Sequence, residues 1–137
     1  MRLSRDDILK AADRATEEVD VPEWGGSVLV RGLSGRERDE FEVSMSVRRD
    51  GEYVPDFANT RAKLVTRCVV DDDGNRVFDE YRDVEVLGEK SAAALDRVYS
   101  AAARLSGLGE TAAKEAAENF GEAPGASSSS ASPPTSA

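Results

Sequence analysis

The sequence predicts an α+β fold, predominantly helical, in which a small antiparallel hairpin is followed by four to five helices and a disordered C-terminal tail. Three observations carry this reading. Val19 and Val21 alternate with polar residues up to Pro22, and Val28, Leu29 and Val30 resume a β-branched run after Gly25-Gly26, which is a hairpin pattern. From Ser34 onward, apolar residues recur three and four apart behind residues that cap helices. Residues 121–137 contain no large apolar side chain and cannot offset the entropy of being ordered. The chain therefore divides into one domain, 1–120, and a Gly/Ala/Ser/Pro tail, 121–137.

The first element is a short helix capped by Ser4, with Asp6 and Asp7 in the turn where the helix dipole favours negative charge, ending near Arg14. Leu3, Ile8 and Ala12 approximate one face, which favours docking on the core over projection as a recognition helix. After the hairpin, Ser34 and Glu37 have the spacing of a capping box and set a helix start at Gly35. That helix puts Phe41 and Met45 one turn apart, with Val43 and Val47 on a neighbouring stripe, and fades at Arg48-Arg49-Asp50-Gly51. The two arginines read as partners of the free carbonyls at its end.

Pro55 and Asp56 open the next helix, whose buried stripe Ala58, Ala62, Val65 and Val69 is widened by Leu64 and Cys68. It runs into the acidic turn Asp71-Asp72-Asp73-Gly74-Asn75, after which Arg76-Val77-Phe78 extends as a short strand. Asp79 caps a short helix through Val84, Val86 and Leu87, and Gly88 breaks it. Ser91 then caps the longest helix, with the stripe Leu95, Val98, Tyr99, Ala102 and Leu105 and a stop at Gly107. Residues 110–120 read as a further helix whose apolar content is mostly alanine, and which is therefore weakly anchored.

Composition excludes several functions. With 27 acidic against 18 basic residues the net charge is −9, which opposes phosphate backbones and anionic headgroups, so neither nucleic acid nor a membrane is an expected partner. There is no apolar run long enough to cross a bilayer, and the start lacks the apolar core of a signal peptide, so the expected location is the cytoplasm. No histidine occurs, which removes Cys-His and Ser-His-Asp arrangements and the usual imidazole ligands of zinc. Cys68, the single cysteine, lies among apolar neighbours and reads as a packed residue.

The acidic turn invites a metal. Placing Gly74 at the sixth position of an EF-hand loop puts Val69 at the first, where the loop needs a carboxylate. A magnesium-dependent nuclease built on Asp71, Asp73 and Glu80 would have to draw a polyanion to an acidic chain. The turn instead reads as solvated, its aspartates bonding local amides and Gly74 at positive φ. No catalytic constellation and no cofactor is expected, and the physics points to an interaction module.

The run Val21-Pro22-Glu23-Trp24-Gly25-Gly26, Val28, Val30-Arg31-Gly32-Leu33, Gly35-Arg36-Glu37-Arg38-Asp39 and Phe41-Glu42 resembles the phage tail assembly chaperones of long-tailed phages with actinobacterial hosts. Ala62-Lys63-Leu64-Val65 into Val69-Val70-Asp71-Asp72-Asp73-Gly74 resembles that family's central helix and acidic turn. The segments from Asp83 to Ser91 and on to Leu105-Ser106-Gly107-Leu108 resemble its C-terminal helix, so the likeness covers most of residues 3–120.

The resemblance implies a protein that binds the tape measure protein, keeps its long hydrophobic helices soluble, and helps recruit the tail tube protein. It also implies a host-cytoplasmic location, absence from the finished virion, and the shorter product of a frameshifted pair. The rival readings are a structural tail or head-completion component retained in the virion and a small metal-dependent enzyme. The client surface is expected around Trp24, Leu29 and Phe41. Trp24, beside the Gly25-Gly26 turn, is either an exposed anchor or a lid on the core.

Overall fold

The computed structural model describes residues 1–108. The expectations for residues 110–120 and for the 121–137 tail lie outside them. Helix α1 (Arg5–Lys10) is capped by Ser4 as expected, and Asp7 completes a capping box with it, but the helix buries no residue. The expected docking through Leu3, Ile8 and Ala12 does not occur: Leu3 is 57% and Ile8 55% exposed. The helix also stops short of Arg14, whose guanidinium turns back to donate to the Gly32 carbonyl at 3.2 and 2.9 Å.

Strands β1 (Thr16–Val21) and β2 (Gly26–Arg31) form the expected hairpin, with Val19 opposite Val28 and Val21 opposite Gly26. Their connection is a single 3-10 turn, Pro22–Trp24. Pro22 presets its first position, and Gly25 closes it at φ 79°, a backbone conformation that costs glycine little. Helix α2 (Gly35–Val43) begins where the capping box sets it, Ser34 and Glu37 each bonding the other's backbone amide.

Beyond α2 the structure departs from the sequence reading. The chain leaves the helix at Ser44 and makes a second hairpin, β3 (Ser46–Arg49) with β4 (Glu52–Pro55). Asp50 and Gly51 reverse it, both at positive φ of 51° and 82°, the combination a tight two-residue hairpin requires. Arg48 and Arg49 thus sit on a strand opposite Tyr53 and Glu52 rather than at helix carbonyls, and Val43 is 68% exposed. Five strands in two sheets make the described residues mixed α+β, less helical than expected.

Helix α3 (Thr60–Cys68) starts later than Pro55-Asp56, after Asn59 at φ 58°, and Ala58 is exposed outside it. Its last turn passes directly into β5 (Val69–Val70), which pairs antiparallel with β2 at Leu29 and Val30. The expected strand at Arg76 reduces to one antiparallel bridge with Val70. Helix α4 (Val84–Gly88) is short, and α5 (Ala92–Leu105) is the longest described, with Ser91 bonding the Ala94 amide as its cap.

One cluster holds β1, β2, β5 and the helices α2 to α5. Val21, Val30, Leu64, Val65, Cys68 and Val98 are fully buried, and full burial of such side chains stabilises by about 1.5–3 kcal/mol each. Ala94, Ala101, Ala102 and Ala103 are buried on α5, so its backbone lies close to its neighbours. α5 packs on α3, β1 and β2. Gly32 marks a close approach of α5 to the end of β2, since a side chain there would run into the Leu105 carbonyl.

Candidate functional site: an apolar groove beside a short sheet

The sheet has the order β1-β2-β5, and register sets Glu18, Leu29, Val70 and Arg76 in one row across it. Because β5 pairs only with Leu29 and Val30, the first half of β2 has no described strand on that side. The chain leaves β5 through the 71–75 turn and returns as Val77 and Phe78. Between these segments opens a groove of 470 Å³ with Trp24, Val28, Leu29, Val70, Val77 and Phe78 as apolar lining. Glu18, Ser27 and Asp72 stand at the same groove.

Trp24 is half-buried and packs against the core while also lining the groove, so it is both lid and wall. Phe78 does the same from the other side. An aromatic held in this way presents area without losing much rotamer freedom on contact. Leu29 joins Trp24 in the groove, but Phe41 does not: at 6% exposure it belongs to the core, and a partner cannot reach it. Its helical stripe pointed inward, which the spacing with Met45 already encoded. Val77 and Phe78 were missed because three residues after an acidic turn gave no period to read.

The turn itself has the geometry expected of a solvated loop. Asp71 accepts hydrogen bonds from the Asp73 amide at 2.9 Å and the Asn75 amide at 3.0 Å, and Gly74 lies at φ 84°. Among the described residues no group of three or more acidic, cysteine or histidine side chains is placed to hold a metal ion. Burial pushes the Cys68 thiol up to about 12, so it stays protonated and unreactive at neutral pH.

The main ionic network uses none of the groove-lining side chains. Glu37 accepts from Arg14, from Arg76 at 3.1 Å and from the Ser34 amide at 2.9 Å. Burial works to raise its carboxyl, but the Ser34 hydrogen bond and the charges of Arg14 and Arg76 outweigh it and hold the group below its usual range. The network ties the hairpin's approach, the start of α2 and the segment after the acidic turn to one carboxylate.

These features define a small acidic α+β domain that presents an apolar groove beside an incompletely paired sheet. The family model of the phage tail assembly chaperones matches residues 7–119, and the chain belongs to that family. No curated protein and no solved structure matches it. Its general role is thus in the assembly of phage tails. None of the described helices is long and apolar enough to cross a membrane.

Proposed function

We propose that this chain binds the tape measure protein through the groove at Trp24 and Leu29 and holds it soluble while the tail tube protein assembles. It acts by binding alone, without catalysis or cofactor, in the host cytoplasm, and leaves before the virion is complete. The observation that carries this reading is the groove, which brings together two of the expected anchors on a fixed support. An amphipathic helix lays its apolar face into such a groove, with residues three and four apart as anchors. The net charge of −9 keeps a complex with an aggregation-prone client dispersed.

Co-expression with tape measure fragments tests the proposal. Trp24→Ala and Leu29→Asp are each expected to abolish co-purification while the domain keeps cooperative unfolding. Undiminished capture by a folded Leu29→Asp chain contradicts it. Mass spectrometry of purified particles separates the chaperone from a retained structural component, which would be present in every virion.

A further inference from the structure

We propose that the free edge of β1 is a docking site for an extended strand of another protein that carries lysine or arginine at alternate positions. β1 is an outer strand of its sheet. The Ala15 carbonyl accepts from the Gly32 amide at 3.1 Å, in register with the hairpin. Alternation along an antiparallel ladder then turns the backbone groups of Glu17, Val19 and Val21 toward β2 and those of Thr16, Glu18 and Asp20 outward. All three outward residues are exposed, and α1, the preceding element, buries none of its own residues and so does not cover them. An edge with a row of open donors and acceptors is a template for another strand.

Charge selects the occupant. Glu17 is engaged by Arg104 at 2.8 and 3.1 Å, whereas Glu18, which accepts only from the neutral Ser27 hydroxyl at 2.6 Å, and Asp20 are the exposed carboxylates of the edge without a cationic partner among the described residues. A second copy pairing antiparallel meets its own charges. With outward residues meeting outward residues, the two registers of greatest overlap set Glu18 opposite Glu18 or Glu18 opposite Asp20. Like charges directly opposite are destabilising, whereas opposite charges stabilise. The chain's own continuation carries the same sign, since residues 109–120 hold Glu110, Glu115 and Glu118 against Lys114 alone. A basic strand from a different protein meets neither penalty.

The test titrates the isotope-labelled full chain with a synthetic peptide of alternating lysine and valine. Its controls are a peptide of the same composition with a central proline and a glutamate-valine analogue. The inference requires saturable shifts at the amides of Thr16, Glu18 and Asp20 and no binding of the glutamate peptide. It also requires about tenfold weaker binding of the proline peptide, which cannot complete the ladder. Glu18→Pro removes one outward N–H while sparing the bonds to β2, and weakens the lysine peptide by about tenfold. Should that variant lose its fold, the double change Glu18→Lys with Asp20→Lys decides, because it must transfer preference to the glutamate peptide. Equal binding of the lysine and proline peptides, or shifts confined to the groove without Thr16 and Asp20, overturns the inference. So does a dimer of the chain alone that Glu18→Pro dissociates, which would place a second copy on the edge.

Discussion

Replacing Glu37 with alanine removes three connections at once. The carboxylate accepts from the Ser34 amide at 2.9 Å, from Arg76 at 3.1 Å and from Arg14, and its side chain is only 17% exposed. Loss of the capping-box arm costs about 0.5–1 kcal/mol. Each charge-assisted bond adds about 1 kcal/mol, toward the low end because Arg14 retains the Gly32 carbonyl and Arg76 retains Glu80 at 3.0 Å. The sum is about 2–3 kcal/mol, or a fall in Tm of about 8–15 °C for a domain of this size. The sign with pH follows from the depressed carboxyl. A group held below its ordinary value, 4.5 here, contributes stability that is present above that value and is lost as pH falls through the folded one. Thermal melts followed by circular dichroism should therefore show a constant gap between the native chain and Glu37→Ala near neutral pH that narrows in acid. A change in Tm under about 2 °C, or a gap unaltered in acid, would refute the reasoning.

Gly32→Ala drives a methyl group into the Leu105 carbonyl, and denaturant titration should show a loss of about 1–3 kcal/mol. Cys68 should resist thiol reagents in the folded chain at neutral pH and react only on unfolding, since its thiol is buried and held protonated. The double change Asp72→Asn with Asp73→Asn should leave stability within about 0.5 kcal/mol, because both side chains are exposed and the turn is held through Asp71. Calorimetry against calcium and magnesium checks the same variant for any lost ion binding.

The readable elements were those whose local signals agree. The β1–β2 hairpin, the Ser4 cap, the Ser34–Glu37 capping box and the α5 stripe each stand where the sequence sets them. The β3–β4 hairpin was missed although Asp50-Gly51 is a strong turn signal, because Phe41, Met45 and Val47 continue a helical spacing across its start. Val69 and Val70 were read as helix for the same reason. Their burial was legible, but β-branched residues at a helix end fit a strand equally well. Docking of α1 failed since the six-residue helix holds only Ile8 of the expected face, Leu3 and Ala12 falling outside it, and that does not specify a partner surface. The groove could be anticipated at Trp24 and Leu29, while its other wall depends on the return of Val77 and Phe78, which only tertiary structure supplies.

Trp24 is the chain's one tryptophan and lies in the groove, so its emission reports occupancy of the proposed site directly. The measurement is a fluorescence titration with a tape measure fragment whose own tryptophans are replaced by phenylalanine, alongside sedimentation of the same mixture. The account predicts a saturable blue shift of Trp24 emission that tracks complex formation and disappears in Leu29→Asp. Complex formation by sedimentation with unchanged Trp24 emission would contradict it.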